Sequence, residues 1–203
     1  MLAGSIPSEI AGLGLGWLTA YGNQYSGTLP SEFFSNTLMS RFWLQGNSLS
    51  GSISSEIGKW SEVVEIKLDD NFLMTGTIPT EVGLLATLTK LLLGGNEFSG
   101  PIPSELGRLS ILSELNVSFT SITGTIPKEI GPLVSNGSLA LFSIAGTPGL
   151  FGTIPDDVCG KTADTGKGYI LEFDCGPLCG CDCPCNGSTS NVIVVIAKND
   201  SSP

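Results

Sequence analysis

A tetrapeptide, Gly-Ser/Thr-Ile/Leu-Pro, recurs along this chain at a nearly fixed period, and a period of this length restricts the fold more than any other feature. It begins at Gly4, Gly27, Gly76, Gly124 and Gly152, with the variants Gly-Ser-Ile-Ser at Gly51 and Gly-Pro-Ile-Pro at Gly100 filling the gaps. Successive starts lie 23, 24, 25, 24, 24 and 28 residues apart. Upstream of each start is a second pattern, clearest in Leu88, Leu91, Leu93, Asn96 and Phe98. It returns at Leu15, Leu18, Ala20, Asn23 and Tyr25, and at Met39, Phe42, Leu44, Asn47 and Leu49. Val63, Ile66, Leu68 and Asn71 repeat it with one extra residue before Gly76. Leu112, Leu115 and Val117, then Leu139, Phe142 and Ile144, keep the apolar part, with Thr120 and Thr147 in the asparagine position.

Each part of the pattern has a physical reading. Leu-x-Leu is the period-2 signature of a short strand buried on one face. The asparagine turns the chain and supplies an amide for backbone groups that a tight turn leaves unpaired. Proline in Gly-x-Ile-Pro fixes φ and starts a short helical turn. One such coil cannot bury its own apolar edge, so the coils must stack, with the asparagines in a ladder. Trp60 occupies a leucine position and is expected in the core.

These residues resemble the leucine-rich repeat, and specifically its plant-type subclass, over about residues 1–158. The resemblance implies an α/β solenoid: a right-handed superhelix with a concave parallel sheet and short helical turns. The sequence Met1-Leu2-Ala3-Gly4 enters the pattern partway through a coil, so the first coil is expected to be incomplete. The expectation is a piece of a longer ectodomain, or a gene model lacking its upstream part, because an uncapped solenoid end exposes its core.

Six cysteines follow in a block: Cys159, Cys175, Cys179, Cys181, Cys183 and Cys185. Extracellular leucine-rich repeats commonly end in a disulfide-stapled cap, so residues 159–185 are assigned to a Cys-rich C-terminal cap. Leu171-x-Phe173 reads as a final strand, and Cys159 with Cys175 is the favoured pair, though sequence alone leaves every connectivity open. The alternative is a metal cluster, since the spacing from Cys179 to Cys185 resembles that of metallothionein and thiolates suit zinc or copper(I). Residues 186–203 are a polar tail containing one apolar strand, Val192–Ala197. Sequons at Asn116, Asn136, Asn186 and Asn199 are glycosylation candidates. The fold, cysteines and sequons together point to an extracellular or cell-surface location.

Composition narrows the function. The net charge of −10 leaves no basic surface to replace the counterions of a nucleic acid. The absence of histidine removes the Ser-His-Asp and Cys-His triads, and with them most familiar hydrolase mechanisms. No apolar run reaches the length of a membrane span, and no signal peptide is visible, although a longer parent protein could be membrane-anchored. Gly160-Lys161-Thr162 and Gly166-Lys167-Gly168 lack the spacing of a phosphate loop. Glu65, Asp69, Asp70 and Glu114 offer carboxylates for glycoside hydrolysis. Yet Arg41, Glu65, Lys90 and Glu114 fall on one position of successive strands, the pattern of a cross-strand charge ladder. No enzyme activity and no cofactor are expected.

The concave face offers binding chemistry instead. Trp17, Tyr21, Arg41, Trp43, Glu65, Lys67 and Asp69 project between the buried leucines, and aromatic groups beside arginine are the chemistry of binding hot spots. The expected partner is a peptide, protein or glycan bound as by the ectodomain of a plant-type leucine-rich-repeat receptor-like protein. The alternative is a secreted inhibitor of a cell-wall hydrolase resembling polygalacturonase inhibitors. The cysteine-dense ending also resembles leucine-rich-repeat proteins of microalgae. Ser5, Thr28, Ser52, Thr77, Thr125 and Thr153 form a hydroxyl column interrupted by Pro101, which leaves ice binding as a lesser alternative.

Overall fold

A computed structural model describes residues 1–152 and the strands Ile170–Asp174 and Asn191–Val195. The Leu-x-Leu segments form strands at Trp17–Thr19, Arg41–Trp43, Glu65–Lys67, Lys90–Leu92, Glu114–Asn116 and Leu141–Ser143. They pair in parallel, in an unbroken order, with registers that match the repeat alignment: Arg41 faces Trp17 and Glu65, and Lys90 faces Glu65 and Glu114. Ile170–Asp174, where the sequence predicts a final strand, extends the sheet in parallel with Leu171 in register with Phe142, and Asn191–Val195 closes it antiparallel. The cysteines, Asn186 and Asn199 lie outside the described residues.

Burial follows the period. Phe42, Leu44, Ile66, Leu68, Leu91, Leu93, Leu115 and Val117 are all buried, because alternate residues of each strand face inward. On the opposite side, short 3-10 turns such as Ser31–Ser35, Ser55–Lys59, Thr80–Leu84 and Ser104–Arg108 cover the core. Proline is the residue just before the turn in most coils, extended near φ −60° (Pro30 −58°, Pro79 −63°, Pro103 −64°), so it aims the chain into the turn without joining it. Trp60 is fully buried, stacked on Phe34 with ring centres 5.5 Å apart, and its Nε1 donates to the Phe33 carbonyl at 3.0 Å. That bond satisfies the one polar group the indole carries into the core. No helix among the described residues is long and apolar enough to cross a membrane.

The asparagine ladder is present. Nδ2 of Asn71 donates to the carbonyls of Leu68 in its own coil (2.8 Å) and Leu44 in the coil before (3.1 Å), and Oδ1 accepts from Leu49 N–H (3.1 Å). Asn47 does the same with Leu44, Ala20 and Tyr25, as Asn23 does with Ala20 and Leu2. Where threonine replaces asparagine, only the bond within the coil survives: the Thr120 hydroxyl donates to the Val117 carbonyl at 2.7 Å.

One residue disturbs this regularity. The extra residue of the third interval makes Phe72 a bulge at φ 52°, a left-handed conformation unfavourable for a side chain with a Cβ. Two consequences follow at the same place. The flanking ladder on the outer edge thins there: between Leu73–Met74 and Ser99–Gly100 it is reduced to a single parallel bridge, Thr77 with Ser99, with Glu97 N–H donating to the Met74 carbonyl and Ser99 N–H to the Gly76 carbonyl, each at 2.8 Å. The ladder also breaks: Asn96 keeps its three Nδ2 bonds, to Leu68, Leu93 and Gly94, while its Oδ1 has no donor.

Candidate functional site

The concave strands place Trp17, Arg41, Trp43, Glu65 and Lys67 in one cluster. Arg41 lies between two indoles, its guanidinium carbon 4.5 Å from the centre of Trp17 and 5.7 Å from that of Trp43. Lys67 Nζ stands 4.2 Å over the other part of this row, the Trp43 ring, and 3.0 Å from Glu65 Oε2. Aromatic and cation therefore alternate along Trp17, Arg41, Trp43 and Lys67. A planar, weakly hydrated guanidinium is well suited to stacking on an indole face.

This arrangement corrects the expected charge ladder. Arg41 and Glu65 are partners in the strand register, but Arg41 takes the indoles and Glu65 is paired by Lys67 of its own strand. The last rung does form, with Lys90 Nζ 2.5 Å from Glu114 Oε1. Its hydrogen bond to Glu114 raises the Lys90 pKa, against a smaller opposing effect of burial.

Trp17 and Tyr21 are exposed at 63% and 57%, whereas Trp43 and Lys67 are half-buried. Toward the end of the strands the face carries polar atoms removed from solvent and without a hydrogen-bond partner among the described residues: Trp43 Nε1, Gln45 Oε1 and Asp69 Oδ1. Burial pushes the Asp69 carboxyl above its ordinary pKa and Asp70 adds to the rise, while a backbone hydrogen bond and Lys67 oppose it. Unmatched donors and acceptors in a half-buried face are costly unless a ligand or ordered water meets them.

Farther along, Asn116 lies over Gly94, where a side chain would collide with the Asn116 amide at 2.8 Å. Asn116 Oδ1 accepts from Ser118 N–H (2.9 Å) and Oγ (2.6 Å), so a glycan on its nitrogen would cover this part of the sheet. Asn136, at the C-terminal end of the helical turn Gly131–Ser135, is exposed. The hydroxyl column is also exposed at Ser5, Thr28, Ser52, Thr77 and Thr125, with Thr153 outside the described residues.

The leucine-rich-repeat family model matches residues 87–109 and 112–133. The solved BIR3–SERK2 complex from Arabidopsis thaliana is 33% identical at a TM-score of 0.58, over 66% of this chain and 69% of that one. The chain belongs to the leucine-rich-repeat family. Its period and turns are those of the plant-type subclass. A plant peptide hormone receptor, RGFR1 in complex with RGF2, is 32% identical over 84% of this chain, with a TM-score of 0.73. PEPR1 in its complex with AtPEP1 is 26% identical over 87% of this chain, with a TM-score of 0.71. This leucine-rich-repeat chain spans about a quarter of those two receptors, 26% and 24% of their length. A plant ice-binding protein shares the fold, with 22% identity and a TM-score of 0.67. A sequence comparison with curated proteins gives no match.

Sequence reasoning missed two residues of this leucine-rich-repeat surface. Phe72 and Phe119 are exposed at 64% and 59% and face the same groove. The one-residue excess before Gly76, and the replacement of a turn glycine by Phe119, were the available signals.

Proposed function

We propose that this leucine-rich-repeat chain is an extracellular, non-enzymatic recognition module that binds a peptide or protein on its concave face. The binding residues are Trp17, Tyr21, Arg41, Trp43, Glu65, Lys67 and Asp69. The observation that carries this reading is the row of alternating indoles and cations beside unmatched buried polar atoms at Trp43, Gln45 and Asp69. Large aromatics and arginine supply most of the energy in typical interfaces, and unpaired polar groups supply orientation when a ligand's backbone meets them. The likeness to receptors solved with peptide ligands supports a peptide over a glycan.

The test begins with a peptide selected from a random displayed library against the whole chain. Alanine at Trp17 and at Trp43 should each weaken that peptide's binding by about 2 kcal/mol, roughly thirtyfold. Unchanged affinity in both variants, with folding intact, would remove the concave face from recognition.

A further inference from the structure

Outside the concave cluster, a groove of about 370 Å³ opens at the turn end of the strands, lined by Asp70, Phe72, Gly95, Asn96, Glu97 and Phe119. We propose that it is a docking site for a basic peptide segment, which places an apolar side chain between Phe72 and Phe119 and pairs flanking cations with Asp70 and Glu97.

Four observations converge on this groove. First, the non-glycine residues with positive φ among the described residues are Asp70, Phe72 and Phe119, at 56°, 52° and 53°, and all three line it. The position held by Asp70 and Phe119 is glycine in the other coils, at Gly22, Gly46, Gly95 and Gly146, each with φ between 60° and 70° (65°, 66°, 65° and 65°). Two coils therefore accept an unfavourable backbone to present a carboxylate and a ring where the others present nothing. Such strain collects where a side chain has a use beyond folding.

Second, Gly95 carries no side chain in the coil between them, and the Asp70 carboxylate lies over it, 2.5 Å from where a Cβ would stand. Phe72 and Phe119 belong to coils two apart, roughly 10 Å at the strand spacing of a sheet, and both border the groove, the Phe119 ring also covering Gly146. The groove volume of about 370 Å³ has room for a leucine- or valine-sized side chain against these rings. Third, Asn96 is only 4% exposed, lines the groove, and holds the Oδ1 that the Phe72 bulge left without a donor. A ligand N–H is the kind of partner it lacks.

Fourth, the rim has one sign of charge. The ion pairs among the described residues are Lys59–Glu56, Lys67–Glu65 and Lys90–Glu114, so Asp70 and Glu97 enter none of them. No lysine or arginine lines the groove. The complementary ligand is therefore cationic around an apolar centre.

The probe is the capped tripeptide acetyl-Arg-Leu-Arg-amide, titrated into the ¹⁵N-labelled full chain while the amide signals of Phe72, Gly95 and Phe119 are followed by NMR. Saturable shifts at these three residues are expected. Affinity should fall at least about tenfold for acetyl-Glu-Leu-Glu-amide and for acetyl-Arg-Ser-Arg-amide. Phe119→Gly, which restores the residue the sister coils use, should fold and lose binding by the same factor, and Phe72→Ser should do likewise. Trp17→Ala should leave the groove titration unchanged, which separates this site from the concave-face reading. Absent shifts, equal affinity for the acidic peptide, or unchanged binding in Phe119→Gly and Phe72→Ser would overturn the proposal. Parallel loss in Trp17→Ala would overturn it as a separate site.

Discussion

Arg41 sets its guanidinium over Trp17, 4.5 Å from the ring centre, across the first pair of concave strands. The contact ties the exposed indole to its neighbour, and the same guanidinium lies 5.7 Å from the centre of the Trp43 ring. Cation–π contacts at exposed sites contribute about 0.5–1 kcal/mol each. Arg41→Ala should therefore lower stability by about 1 kcal/mol, a fall in Tm of roughly 2–4 °C for a chain this size. Arg41→Lys should recover only part of it, because an ammonium cannot stack on both rings. Thermal unfolding followed by tryptophan fluorescence measures this, and an unchanged Tm in Arg41→Ala would show the stack to be energetically idle.

Asp69 makes stability depend on pH. Burial raises its pKa in the folded state, so the native chain holds its proton more tightly than the unfolded chain does. Stability from this group is then fully present below the unfolded carboxylate pKa, and is lost as pH rises through the folded value. Asp69→Asn should raise Tm at neutral pH and flatten the decline of Tm across that acidic window. Denaturation scans of both forms from pH 3 to pH 7 decide it, and a steeper decline in the variant would reverse the sign.

The ladder asparagines should differ in cost by position. Asn71 is fully buried and makes three bonds, so Asn71→Ala strands the N–H of Leu49 and leaves the carbonyls of Leu44 and Leu68 with one side-chain donor each, Asn47 and Asn96. The expected loss is about 3 kcal/mol or more. Asn23 is partly exposed, water can replace its bonds, and Asn23→Ala should cost about 1 kcal/mol. Urea midpoints of the two variants test the ranking.

Deleting Phe72 should stabilise the chain. The deletion brings this interval from 25 residues to the 24 of its neighbours and removes a left-handed phenylalanine. It also brings Met74 N–H to the place from which Leu49 N–H serves Asn71, where it would serve Asn96 Oδ1. A gain of about 1–2 kcal/mol is expected from the recovered bond and the relieved backbone. A lower Tm on deletion would mean that the bulge contributes packing that outweighs both.

Close coil packing gives a further contrast. A Cβ on Gly83 would stand 2.5 Å from both Cβ and the carbonyl oxygen of Glu105 in the next turn, whereas one on Gly12 would meet nothing within 4 Å. Gly83→Ala should cost about 1–3 kcal/mol by forcing neighbouring turns apart. Gly12→Ala should lie within about 0.5 kcal/mol of the parent. Paired melting curves separate the two.

The sequence by itself determined the coil. Which residues are buried, which strands pair, and what Asn23, Asn47 and Asn71 bond to all follow from the period, because a solenoid residue meets mainly its equivalents one repeat away. Trp60 in the core and a final strand at Leu171 and Phe173 were legible for the same reason. The chemistry of the surface was legible only as residue types. Both Trp17 and Glu65 lie beside Arg41 in the register, and only side-chain directions in three dimensions decided that the indole would hold the guanidinium and Lys67 the carboxylate. The groove needed tertiary structure most of all. One inserted residue is a small anomaly in a list of spacings, but in the folded chain it thins a ladder to one bridge, leaves Asn96 Oδ1 without a donor and exposes Phe72 on the groove that Phe119 also lines. Period fixes what repeats, whereas a departure from it takes its meaning from the neighbours that geometry brings around it.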